Sequence, residues 1–90
     1  GKMALIVTDH GQAVCDIIDT VSSRGSTILH GTGGYSEADK QVVMVACNNK
    51  EMFVIEKAVK QVDPKAFTII LESNEVIGEG FNPLRLASGN

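Results

Sequence analysis

Basic residues are too few in this chain to dominate its surface: eight lysines and arginines stand against eleven aspartates and glutamates, for a formal net charge of −3. They are scattered along the sequence rather than grouped into a stripe, so no segment offers the positive charge that neutralises phosphates, and nucleic acid is not an expected partner. Long apolar runs are also missing. The longest, Met3 to Val7 and Val42 to Cys47, fall far short of the roughly 20 residues that cross a bilayer as a helix, so this stretch is expected to be soluble. No charged segment leading into an apolar one opens the sequence, and no initiator methionine begins it, which fits a domain excised from a longer protein.

Other chemistry is excluded in the same way. Cys15 and Cys47 stand alone, without the C-x-x-C pairing used by metals and redox centres, and read as buried, reduced core thiols. His10 and His30 sit in different turns with no companion ligands at metal spacing, so neither a metal nor a cofactor is expected. Ser22, Ser23 and Ser36 have no base beside them in a nucleophile motif. Glu72, Glu75 and Glu79 read as a solvated acidic edge, since ninety residues build one core and no deep interdomain cleft in which to isolate a carboxylate. An enzyme is not expected.

What is present is an ordinary globular composition, 43% hydrophobic and 21% charged, consistent with a single domain over 1–90 whose tail, 82–90, frays. Ala4 to Val7 is a first strand. Val14, Ile17, Ile18 and Val21 then recur at helical spacing, and Gly25 offers a left-handed stop for that helix. Ser26 to His30 is a short second strand, and Gln41 to Cys47 a third. Asn48 and Glu51 form a capping-box pair opening a second helix, with Met52, Ile55, Ala58, Val59 and Val62 inward, and Asp63-Pro64 ends it. Phe67 to Leu71 is the last strand. The order βαββαβ predicts an α+β, ferredoxin-like fold: a four-stranded antiparallel sheet with both helices on one face. The first and third strands, apolar on both sides, belong at its centre, and the second at an edge. Two helices cover only one face of such a sheet, so the other is expected to meet further copies of the chain.

The candidate site starts from Gly31-x-Gly33-Gly34-Tyr35, a loop whose glycines permit unusual backbone shapes and close approach of N–H groups to an anion. It fits neither the P-loop nor the dinucleotide fingerprint, and a plain hairpin connector is the competing reading. Tyr35, the only tyrosine, either stacks on a ligand ring or anchors the loop. Arg24 is the expected nearby cation. Gly78, Glu79, Gly80 and Phe81 form a second glycine-bearing turn, taken as a further wall or else as a packed tail.

Taken in order, Ser23-Arg24-Gly25-Ser26-Thr27-Ile28-Leu29, Gly31 to Ser36, Val43 to Cys47, Val62-Asp63-Pro64-Lys65-Ala66-Phe67 and Glu75 to Phe81 resemble the cytoplasmic C-terminal domain of YitT-type bacterial membrane proteins. The resemblance runs from Met3 to Phe81. It implies a domain of unassigned biochemical function, PII-like in fold and tethered to a membrane region. In PII-like trimers the loop between the second and third strands is an effector loop beside a nucleotide site at the subunit boundary, matched here by Gly31, Gly33, Gly34 and Tyr35.

The leading expectation is therefore a regulatory domain that binds a small anionic metabolite or nucleotide between copies, a trimer being favoured. A structural oligomerisation module without ligand is the first alternative. An amino-acid-binding domain of the ACT type, with its ligand at Asp9 to Gly11, is the second. A small enzyme using the Glu72 to Glu79 carboxylates is the weakest.

Overall fold

The computed structural model describes residues 1–72, 74, 77 and 78. Along them run β1 (Lys2–Thr8), α1 (Gly11–Ser22), β2 (Thr27–Thr32), β3 (Asp39–Cys47), α2 (Asn49–Val62) and β4 (Phe67–Glu72). The strands form one sheet in the order β2-β3-β1-β4, and every neighbouring pair is antiparallel. The two strands that are apolar on both sides are indeed the central ones.

Register divides the sheet residues between two faces. Ala4, Ile6 and Thr8 of β1 alternate with Met3, Leu5 and Val7, and the pairing places Val43 beside Ile6 and Val45 beside Ala4. The first set points at the helices and is buried: Ala4, Ile6, Val43 and Val45 are at most 1% exposed. Val14 and Ile18 of α1 and Met52, Ile55 and Val59 of α2 complete this core, each fully buried aliphatic side chain contributing about 1.5–3 kcal/mol.

Among the described residues no helix lies over the opposite face. Met3, Leu5 and Val7 run down its middle, flanked by Val42, Met44 and Ala46 on one side and by Phe67, Ile69 and Leu71 on the other, with Leu29 beyond Val42. Phe67 is 58% exposed and Leu29, Ile69 and Leu71 more than 40%. Four strands at about 4.8 Å spacing make a greasy surface roughly 15 Å across between the outer strands, a contiguous apolar patch of the kind that marks interaction sites.

Helix ends follow local chemistry. Asn48 Oδ1 accepts the Glu51 N–H at 2.8 Å while the Asn48 N–H donates to Glu51 Oε1 at 2.9 Å, the expected capping box. At the end of α1 the expectation fails. The left-handed position is taken by Ser23 (φ 57°, ψ 25°), whose N–H donates to the Asp19 carbonyl, because the helix runs out at Ser22, three residues before Gly25. Nor do the loop glycines supply the unusual backbone: among described residues positive φ occurs at Ser23, Glu37 and Gly78, not at Gly31, Gly33 or Gly34. The lysines, scattered in sequence, are gathered by the helix, since Lys50, Lys57 and Lys60 all stand on the solvent side of α2.

Candidate functional site

β2 is longer than its sequence pattern suggests and carries Gly31 into the sheet opposite Lys40, with Thr32 opposite Asp39. The loop proper is then 33–38. It is closed by the Gly33 N–H donating to the Ala38 carbonyl at 2.7 Å and the Glu37 N–H donating to the Gly33 carbonyl at 2.9 Å. Gly33 thus spends its donor inside the loop. Tyr35 is fully solvent-exposed, so it does not anchor the hairpin to the core, and its ring is open to a partner.

At the same end of the sheet the β1–α1 turn approaches β3. Lys40 Nζ lies 3.4 Å from Asp9 Oδ1, and the Gly11 N–H donates to Gln41 Oε1 at 2.6 Å. Together Asp9, His30, Gly31, Asp39, Lys40 and Gln41 line a cleft of about 430 Å³, within the range of small-ligand sites. The turn is held from behind. The Thr8 hydroxyl donates to Asp63 Oδ2 at 2.6 Å and accepts the His10 N–H at 2.9 Å, while Asp63 Oδ1 accepts the Lys65 N–H at 3.1 Å. The hydrogen bond from Thr8 holds the Asp63 carboxyl below its ordinary value, and the Lys65 N–H adds to this against the opposing effect of burial.

The cleft mixes signs. Lys40 and His30 offer donors to an anionic group, and Asp9 and Asp39 offer acceptors to a cationic one, so the lining suits a small ligand carrying polar groups of both kinds. Sequence reasoning named Gly31 and, separately, the Asp9 to Gly11 turn. The fold makes them walls of one cleft. Lys40, Asp39 and Gln41 were missed. Their only signal was that polar residues open a strand that is otherwise apolar.

Arg24 is not the cation of this cleft. It precedes β2 while the loop follows it, and a six-residue strand separates its ends by roughly 20 Å. Its Nε donates to Glu51 Oε2 at 2.9 Å and Oε1 at 3.1 Å, tying the α1–β2 connection to the start of α2. Cys47 is buried, and burial pushes its thiol up from the ordinary value; Cys15 is half-buried. Gly78 is exposed with φ 139°. Glu79, Gly80 and Phe81, and the tail 82–90, lie outside the described residues.

A βαββαβ sheet of this order, with a hairpin loop and cleft at one end, defines a ferredoxin-like domain of the PII-like kind. The fold alone is shared with a putative PII-like signaling protein from Thermus thermophilus, at a TM-score of 0.52 and 13% identity over 78% of this chain and 84% of that one. The chain belongs to the DUF2179 family, described as uncharacterized protein conserved in bacteria, which matches residues 24–78. A solved DUF2179 protein from Eubacterium ventriosum superposes with a TM-score of 0.66 at 26% identity, covering 78% of this chain and 96% of that one. Among relatives, the UPF0750 membrane protein YvjA of Bacillus subtilis is 39% identical over 89% of this chain. The UPF0750 membrane protein YitT of the same organism is 32% identical over 83%. The chain spans only 28% and 27% of the length of those two. It is therefore a DUF2179 domain with a PII-like fold, similar to one part of longer relatives that are membrane proteins, and no helix among the described residues is long and apolar enough to cross a membrane.

Proposed function

We propose that this chain is a non-enzymatic regulatory domain, standing at the cytoplasmic face of a bacterial membrane protein. Copies associate through the open sheet face, as a trimer. A small anionic metabolite or nucleotide binds at the boundary between them and alters the Gly31 to Tyr35 hairpin, which the attached membrane region reads. One observation carries this: the cleft that holds Gly31 and Lys40 lies at the strand ends that lead into the hairpin bearing the fully exposed Tyr35, at the rim of the apolar face that no described helix covers. A neighbour seated on that face would close the cleft and bring its own residues to it. In such an assembly Arg24 reaches the cleft only from another copy.

A second reading is favoured by the lining itself. Asp9 belongs to the β1–α1 turn, where an ACT-type domain would hold an amino acid, and the pairing of Asp9 and Asp39 with Lys40 suits an ammonium and a carboxylate on one small molecule. A thermal-shift panel of nucleotides, cyclic dinucleotides, amino acids and organic acids tests both. A binder at one hundred times its dissociation constant adds about 2.7 kcal/mol. A response to nucleotides or organic acids supports the first reading and a response to amino acids alone supports the second. Silence across the panel leaves the structural module without ligand.

A further inference from the structure

The outer surface of α2 carries a feature that the cleft and the open sheet face do not use. At 100° per residue, Lys60, Phe53, Lys57 and Lys50 fall within an arc of about 80° on the solvent side of the helix. All four are exposed. Phe53 is 64% exposed and Val54, on the flank of the arc, 42%; Lys57 Nζ lies 5.0 Å from the centre of the Phe53 ring. Three of the chain's eight basic residues thus surround an exposed aromatic, in a molecule of net charge −3. Glu56, on the opposite flank, is the acid nearest this arc on the helix. The outer face of α1, by contrast, presents Asp16 and Asp19.

We propose that this face of α2 rests on the anionic surface of the membrane, with Lys50, Lys57 and Lys60 against lipid phosphates and Phe53 and Val54 seated among the headgroups. The charge is complementary to anionic lipid, and long lysine stems let the ammonium reach phosphate while an apolar ring beside them lies deeper. Each lysine near such a surface strengthens binding several-fold, so three together are worth on the order of a hundredfold. The free domain binds weakly by this measure, but tethering supplies a high effective concentration. The inference rests on reading the chain as a domain attached to a membrane protein, since the chain spans little more than a quarter of its membrane-protein relatives YvjA and YitT.

The test uses the purified chain with vesicles of phosphatidylcholine alone and of phosphatidylcholine mixed with an equal part of phosphatidylglycerol. Co-sedimentation of the wild type is expected with the anionic vesicles only, reversed by high salt. Because the sequence contains no tryptophan, Phe53→Trp places a single reporter in the patch, and its emission is expected to shift to the blue and be quenched by brominated acyl chains. Lys50→Gln, Lys57→Gln and Lys60→Gln combined should weaken binding on the order of a hundredfold, and Phe53→Ser alone should weaken it less, with circular dichroism unchanged in each because these side chains are exposed. Three results would each overturn the proposal: equal binding to neutral vesicles, no loss in the triple variant, or a triple variant whose sedimentation coefficient changes while its vesicle binding does not. The last would make the patch a contact between proteins. A chain that responds to a small ligand but ignores vesicles defeats the membrane contact alone, and one that binds vesicles but no ligand defeats the sensing function alone.

Discussion

Gln41 of β3 caps α1 from across the sheet, its Oε1 accepting the Gly11 N–H at 2.6 Å, a role that the residue at the cap position, His10, does not fill. The first turn of a helix leaves N–H groups without backbone partners, and a buried one left unsatisfied costs more than the bond it loses. The same contact explains why residue 11 is glycine: a Cβ there would lie 2.4 Å from Gln41 Oε1. Gln41→Ala is therefore expected to lower the unfolding free energy by about 1–2 kcal/mol, and Gly11→Ala to do so by displacing the Gln41 side chain. Urea titrations of both variants check this. Wild-type midpoints would refute it.

Ser23 and Glu37 occupy left-handed backbone at φ 57° and 59°, where a Cβ is strained and glycine is not. Ser23→Gly is expected to stabilise the chain by about 0.5–1 kcal/mol, the relief of strain exceeding the added freedom of the unfolded chain. Thermal denaturation should show a higher midpoint. A lower one would mean that the serine side chain contributes more than its backbone costs.

Much of the architecture is legible without coordinates, because its signals are local. The doubly apolar β1 and β3, the Asn48–Glu51 cap and the Asp63-Pro64 stop each reveal themselves within a few residues. The cleft is different. It depends on Lys40 meeting Asp9 and on Gln41 meeting Gly11, contacts spanning 31 and 30 residues of chain that only strand register creates. Arg24 shows the converse error: seven residues before Gly31 is close in sequence, yet a strand extends by about 3.3 Å per residue and carries the two to opposite ends of the sheet. Ser23 was overlooked because glycine is the commoner left-handed stop, and helix length decided otherwise.

The Thr8–Asp63 bond gives the turn beside the cleft an acid dependence. Asp63 is held below its ordinary value of 3.8 chiefly by the Thr8 hydroxyl. A depressed carboxylate contributes stability that is fully present above its unfolded value and is lost as pH falls through the folded one. Urea midpoints of the wild type should therefore be steady above about pH 5 and decline below about pH 4. Thr8→Val should be less stable near neutrality and should decline less steeply in acid. Glu72, lowered by its bond to Lys2, contributes to the same window, so the comparison is best made in a Glu72→Gln background. An unchanged acid slope in Thr8→Val would count against the assignment.

Gly34 and Lys40 separate the fold from ligand binding. A Cβ on Gly34 meets nothing within 4 Å, whereas one on Gly33 would lie 2.5 Å from Ser36 Oγ, so Gly34→Val is the cleaner probe of the loop. Gly34→Val and Lys40→Ala are each expected to leave the unliganded stability within about 0.5 kcal/mol of wild type, as surface changes usually do. Each should reduce the thermal shift given by whichever compound the panel identifies. Retention of the full shift in both would remove the loop end of the sheet from the binding site.

The central claim, that the open sheet face joins copies of the chain and so places the cleft at a boundary, is tested most directly by sedimentation equilibrium of the 90-residue chain. The account predicts a trimer at micromolar concentration, dissociated by Leu5→Asp, which sets a charge in the middle of the face formed by Val7, Met44 and Ile69. A wild-type chain that remains monomeric at several hundred micromolar would contradict it.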